Sequence, residues 1–223
     1  MAKLRHELKH EITPVDAQLI RARLQAAALP DRFADASGGY CVNSLYFDTP
    51  SDRALREKLD GVDPRSKFRI RYYNDDHSFI RLEKKSKVHG LCAKRQTSMT
   101  RAQCDLLLEG SDAWYAPGDE ILDELHAAWQ SEALRPREIV AYRREAFVYP
   151  AGNVRITLDY DLRRCIQPAR FFELSQELQP VRSGIILEVK YDEFLPQFLC
   201  DLVRVPNRRA TAFSKYAACR GAI

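Results

Sequence analysis

Lys67-Phe68-Arg69-Ile70-Arg71-Tyr72 alternates basic and apolar side chains, and Tyr73 follows. A period of two is the signature of a strand, so Lys67, Arg69 and Arg71 share one face and Phe68, Ile70 and Tyr72 the other. Working outward, the pattern returns with an acid added. Glu7-Leu8-Lys9, Glu83-Lys84-Lys85 after Phe79-Ile80-Arg81-Leu82, and Glu188-Val189-Lys190 after Ile185-Ile186-Leu187 each place a glutamate and a lysine two apart on one strand face. Val154-Arg155-Ile156-Thr157-Leu158-Asp159 groups Arg155, Thr157 and Asp159 opposite its aliphatics. A single strand of this kind fits a solvated antiparallel sheet. Repetition points elsewhere, because a solvated face mixes Ser, Thr, Gln and Lys, whereas here Arg and Lys dominate and Glu accompanies them at fixed spacing.

The helical segments can cover the apolar faces. Thr13-Pro14 caps an amphipathic run through Leu29, and Thr100 with Gln103 forms a capping box opening a run through Leu108. Residues 119–132 and 196–202 supply further apolar stripes through Ile121, Leu122, Leu125, Trp129 and Phe198, Leu199, Leu202. With helices outside, the charged face turns inward, and closing the sheet into a barrel avoids bare edges. The expected fold is α+β, an antiparallel tunnel-like β-barrel with helices packed on the outside. Its lining would include Lys9, Arg69, Arg71, Lys85, Lys94, Arg155 and Lys190, with Glu7, Glu83, Asp159 and Glu188 among them. So many cations at close quarters need water, interspersed acids and a polyanionic ligand. Arg and Lys bind phosphate oxygens, and carboxylates among them make sense if they hold Mg²⁺ or Mn²⁺ bridging those oxygens.

The remaining features chiefly exclude. No Pro/Gly/Ser-rich stretch divides the 223 residues, so a single domain over 1–223 is expected. No apolar run is long enough for a membrane span and the N-terminus lacks a signal-peptide core, so a cytoplasmic location is expected. Cys41, Cys92, Cys104, Cys165, Cys200 and Cys219 include no CxxC pair and read as reduced, mostly buried thiols. His6 and His10 are four apart, but in a strand, with no third ligand nearby. A net charge of +4 prescribes no nucleic-acid partner, and the aromatics do not form a base-stacking platform.

Taken in order, RHELKHEI (5–12), SLYFDTP (44–50), EKLDG (57–61), KFRIRYY (67–73), RLEKKSK (81–87), YRREAF (142–147), VRITLD (154–159), ILEVKYD (186–192) and SKY (214–216) resemble the polyphosphate polymerase domain of the vacuolar transporter chaperone (VTC) complex, and more closely its stand-alone bacterial relatives. That family belongs to the triphosphate tunnel metalloenzymes, with the CYTH-type and RNA triphosphatases. The resemblance implies an eight-stranded tunnel and metal-dependent transfer of the ATP γ-phosphate onto a growing polyphosphate chain. Carried over by motif, Arg69, Arg71, Lys85, Arg144 and Arg155 would grip ATP, triphosphate or polyphosphate oxygens. Lys94 fits the next strand's basic position, with Arg95 as the other register, and Lys9 sits on the first strand. Glu188 is the leading metal ligand, with Glu7 and Glu83 as further candidates for Mn or Mg. Ser214 and Lys215 lie at a C-terminal helix approaching the phosphates, Lys190 shares the face of Glu188, and Tyr142 offers a hydroxyl.

The chain departs from the CYTH signature E-x-E-x-K, carrying Arg5 at its first position, which favours the polymerase branch. Each glutamate also has a plainer role as a cross-strand neutraliser of lysine. Asp48 and Thr49 before Pro50 build a turn and cap a helix from Ser51, and Tyr72, Tyr73 and Phe147 belong to the core or the barrel wall. Two alternatives use the same cations: hydrolysis of a triphosphate, and polyphosphate binding without turnover.

Overall fold

The computed structural model describes residues 4–36, 38–174, 177–181, 184–205 and 210–222. Its strands are β1 (His6–Ile12), β2 (Leu29–Pro30), β3 (Gly39–Asp48), β4 (Arg65–Tyr73), β5 (Asp76–Val88), β6 (Leu91–Met99), β7 (Arg135–Tyr149), β8 (Val154–Cys165), β9 (Gln179–Pro180) and β10 (Ile185–Tyr191). Its α-helices are α1 (Pro14–Ala27), α2 (Arg53–Leu59), α3 (Arg101–Leu108), α4 (Glu120–Ser131), α5 (Gln197–Val203) and α6 (Lys215–Cys219). The main path is an antiparallel eight-strand sheet in the order β1-β10-β8-β7-β3-β4-β5-β6, with β2 and β9 as short additions beside β7 and β8. The sheet curls until its end strands meet at an Arg5–Cys92 bridge, while His10 of β1 pairs with Ala210 further along that edge. This is the expected antiparallel tunnel fold.

Capping sets the starts of α1 and α3 as read, but α1 ends at Ala27, Leu29 is an exposed residue of β2, and Phe198 of α5 is exposed. Thr13 and Asp16 form a reciprocal capping box with Pro14 in the first turn of α1, which buries Ala17, Ile20 and Leu24. These pack with Phe147, Ile156, Leu158, Leu187 and Val189 from the outer faces of β7, β8 and β10. The box at Thr100 and Gln103 opens α3, and Asp119 caps α4. Their Leu107, Leu122, Leu125 and Trp129 cover Phe68, Ile70, Tyr72 and Leu82. A third cluster lies on the inward face, where Tyr40, Val42, Tyr46, Val140 and Tyr142 pack with Tyr216 and Cys219 of α6. The interior therefore has an apolar zone beside a charged one.

Asp48 and Thr49 act as local structure. Asp48 accepts from the amides of Thr49, Ala54 and Leu55 and from the Tyr216 hydroxyl at 2.7 Å, and Thr49 Oγ1 accepts from Arg53 N. The helix they cap starts at Arg53, not Ser51, because Asp52 takes a left-handed conformation ahead of it.

Candidate active site

Antiparallel pairing decides how the charged motifs meet. The two E-x-K motifs of β1 and β10 run in opposite directions, so Glu7 lies opposite Lys190 and Lys9 opposite Glu188. On β4 and β5 the register instead sets Arg69 against Glu83 and Lys67 against Lys85, and Lys85 faces Lys94 of β6. Between these walls is a cavity of about 410 Å³.

The β1–β10 wall is a linked array. Glu7 bonds Lys85 at 2.8 Å and Lys9 at 2.9 Å, with Lys190 at 3.7 Å. Glu188 meets Lys190 at 2.9 Å, Arg144 at 3.4 Å and Lys9 at 3.6 Å. Burial and the Glu188 charge oppose ionisation of Glu7, yet Lys85, Lys190 and Lys9 bring its carboxyl down to about 2. Glu188 is likewise driven well below the usual carboxylate range, its burial outweighed by Lys190, Lys9, Lys215 and Arg144. Beside them Arg144 grips Asp159 through its Nε and one terminal nitrogen, at 2.6 and 2.7 Å, and Lys215 reaches the same carboxylate at 2.6 Å. Ser214 caps α6 and thereby aims Lys215.

On the facing wall Arg69 holds Glu83 at 2.6 Å and donates to the Tyr46 hydroxyl at 3.0 Å. Arg71 donates to Ser44 at 2.9 Å and Tyr142 at 3.3 Å. Lys67 sits over the Tyr46 ring at 5.1 Å. Burial together with Lys85, Lys9 and Arg69 lowers its ammonium to about 8, partly offset by Tyr46. Burial opposes a Tyr46 phenolate, but Arg69, Lys67 and Arg71 bring that hydroxyl down to about 7.

The expected residues Lys9, Arg69, Arg71, Lys85, Arg144, Lys190, Lys215, Tyr142, Ser214, Glu7 and Glu188 all line this one cavity. Three other expected site residues stand apart from the lining, as does Asp159, which lies behind it in the grip of Arg144 and Lys215. Arg155 shares the inward face but turns to Asp31 at 3.0 Å and the Tyr40 hydroxyl at 2.6 Å, so it does not grip from the cavity wall as carried over. Lys94 bonds Glu83 at 2.9 Å, and Arg95 points outward to Glu120 at 2.8 Å, so Lys94 is the one on the inward parity. Glu83 is held by Arg69 and Lys94 and does not line the cavity as a ligand would. Tyr46, Lys58, Arg65, Lys67 and Lys87 also line the cavity, beyond the site residues expected from the sequence. Lys67 was legible, since it shares the parity of Arg69 and Arg71.

Among the described residues no group of three or more His, Cys, Asp or Glu side chains is placed to hold a metal ion. Glu7 and Glu188 nevertheless present hard oxygen donors to the cavity, the chemistry that suits Mg²⁺ or Mn²⁺ when phosphate oxygens and water complete the shell.

A curled antiparallel sheet with cations converging inside it and helices outside defines a triphosphate tunnel, CYTH-like fold. Two solved structures share it: a candidate adenylate cyclase from Bacillus halodurans (TM-score 0.52, 13% identity, covering 90% of this chain and 86% of that one) and a candidate adenylyl cyclase from Hippeastrum with a dominant triphosphatase activity (TM-score 0.54, 14% identity, 98% and 95%). No curated protein matches this chain in sequence. The VTC domain model matches residues 4–222, and the chain belongs to that family.

Proposed function

We propose that the chain is a polyphosphate polymerase, transferring the γ-phosphoryl group of ATP to the end of a growing inorganic polyphosphate chain within the cavity. The observation that carries the reading is the convergence of Lys9, Arg69, Arg71, Lys85, Arg144, Lys190 and Lys215 on one cavity whose lining carboxylates are Glu7 and Glu188. Phosphoryl transfer needs no protein nucleophile. It needs acceptor and γ-phosphorus held in line and the charge on the transferred group and leaving ADP neutralised. Arg69 and Arg71 on one wall and Arg144 and Lys215 beside the other would hold the chain from two sides. Glu7 and Glu188 would hold Mg²⁺ or Mn²⁺, which supplies charge neutralisation at the phosphate oxygens. In this reading the acceptor is the polyphosphate terminus, so no protein group has to activate water.

Hydrolysis would use the same grip with water as acceptor. Arg5, which stands where the CYTH signature has its first glutamate, pairs with Asp192 at 2.8 Å and so adds no carboxylate to the site. This favours transfer. The test is incubation with ATP and Mn²⁺ followed by electrophoresis with phosphate staining. A ladder of products is expected. Free phosphate without a ladder would mean hydrolysis, and neither product would mean binding alone.

A further inference from the structure

Away from this cavity, the start of β7, the end of β8 and the end of α6 meet around a second cleft lined by Arg137, Glu138, Arg164, Ile166 and Arg220. Glu138 is 1% exposed, and its Oε1 has no hydrogen-bond partner among the described residues. The nearest cations form long ion pairs beyond hydrogen-bonding distance, Arg220 Nε at 3.6 Å from Oε2 and Arg164 NH1 at 3.9 Å from Oε1. Each guanidinium is tethered elsewhere. Arg220 holds Asp52, at the start of α2, at 2.9 Å; Arg137 lies 3.5 Å from the same carboxylate; and Arg164 donates to the Cys219 carbonyl at 2.6 Å. A guanidinium carries five N–H donors, so these tethers fix the arginines without exhausting them.

A buried carboxyl oxygen without a bond is costly, and here it stands among arginines with donors to spare. We propose that the cleft is a second anion site, separate from the tunnel, that takes orthophosphate: the arginines bind its oxygens and Glu138 makes a hydrogen bond with it. Orthophosphate suits the orphaned group in either protonation state. A carboxylate accepts from a P–OH, and a carboxyl donates to a P–O⁻. Sulfate has only acceptors, so it needs Glu138 protonated. Burial lifts the Glu138 carboxyl to about 7, with Asp52 adding to the lift and Arg220, Arg164 and Arg137 opposing it, while the Cys219 thiol beside it is pushed up to about 12 and stays neutral. Above neutrality the site should therefore prefer phosphate to sulfate, and below it the preference should fade.

Isothermal titration of the full chain with inorganic phosphate and with sulfate, on either side of neutrality, tests this. Above neutrality a binding component preferring phosphate by about tenfold is expected, the scale of one charge-assisted hydrogen bond. Arg164→Ala should weaken that component by about tenfold, and the more exposed Arg137→Ala, the less able to disturb folding, should weaken it in the same direction. Glu138→Gln supplies a fixed donor and should abolish the phosphate preference while keeping binding. Lys85→Ala, which alters only the tunnel, should leave the component intact. Equal binding of the two anions above neutrality, indifference to both arginine variants, or loss of the component in Lys85→Ala would each overturn the proposal.

Discussion

The two walls of the cavity are built from similar residues and end in different electrostatic states. On β1 and β10, antiparallel E-x-K motifs set each glutamate opposite a lysine, so charge is balanced across the strands and both carboxylates face the cavity. On β4, β5 and β6 the register forms a row of Lys67, Lys85 and Lys94, while Glu83 is held by Arg69 and Lys94 and does not line the cavity. A carboxylate two residues from a lysine is thus a cavity group on one wall and a brace on the other. Strand pairing, not the motif, decides which. The first wall can share phosphate oxygens with a cation, and the second offers charge for the ligand itself to neutralise.

Removing a partner from each wall should expose this difference first in stability. Glu83 is 1% exposed, so Arg69→Ala leaves a buried carboxylate with Lys94 at 2.9 Å and Arg71 no nearer than 4.0 Å, and about 3 kcal/mol should be lost in chemical denaturation. Lys190→Ala should cost clearly less, because Glu188 keeps Arg144 and Lys9. Equal losses would mean that both walls are braced alike. Turnover should separate them in the opposite sense. Glu188→Gln is expected to lower metal-dependent phosphoryl transfer by about a hundredfold or more and to leave metal-free polyphosphate binding equal or tighter, since Lys190, Arg144 and Lys9 are released to the ligand. Glu83→Gln should weaken binding and stability together, with no selective effect on the metal dependence. If Glu188→Gln turns over normally with Mn²⁺, Glu7 becomes the ligand to test.

Much of this was legible in the chain. The parity of residues 67–73 gave the facing of β4, and the capping boxes at Thr13 and Thr100 set the starts of α1 and α3. Reading Asp48 and Thr49 as helix-capping residues also matches their bonds to α2. What stayed hidden depended on long-range register. Arg155 has the right parity, yet its Cα partner is Lys190, and it reaches Asp31 from a segment whose approach no local pattern encodes. Glu83 likewise looks like Glu188 in sequence, and only the placement of Arg69 and Lys94 distinguishes them. The pairing of Arg144 with Asp159 joins two strands through a bulged register that periodicity does not predict.

Salt should act on both walls, since phosphate contacts replace condensed counterions, and affinity for long polyphosphate should fall steeply with ionic strength. A flat response would mean that the internal ion pairs keep these cations from the ligand.

The smallest expected effect belongs to Lys67 and is read through pH. Its ammonium is ordinarily near 10.5 and lies at about 8 in the fold, so folding disfavours the charged form. That destabilisation is fully present at neutral pH and is relieved as pH rises from about 8 towards 10.5. An incoming polyanion does the reverse and favours the ammonium, so binding near pH 8 takes up protons and affinity falls as pH rises past that value, by at most about tenfold per unit for each lysine that titrates. Lys190, also lowered to about 8 by its burial, contributes a second proton on the opposite wall. Replacing Lys67 with methionine, apolar and of similar length, should leave the Lys190 part of the slope and remove the other. The unliganded variant should also be more stable at neutral pH, because a half-buried charge with no carboxylate partner among the described residues, only the Tyr46 hydroxyl, has gone. Polyphosphate titrations of both proteins across this pH range, with denaturation of each at neutral pH, decide the matter. An unchanged slope in Lys67→Met would place the titrating charge on the β1–β10 wall alone and remove the distinction between the walls where it is drawn most sharply.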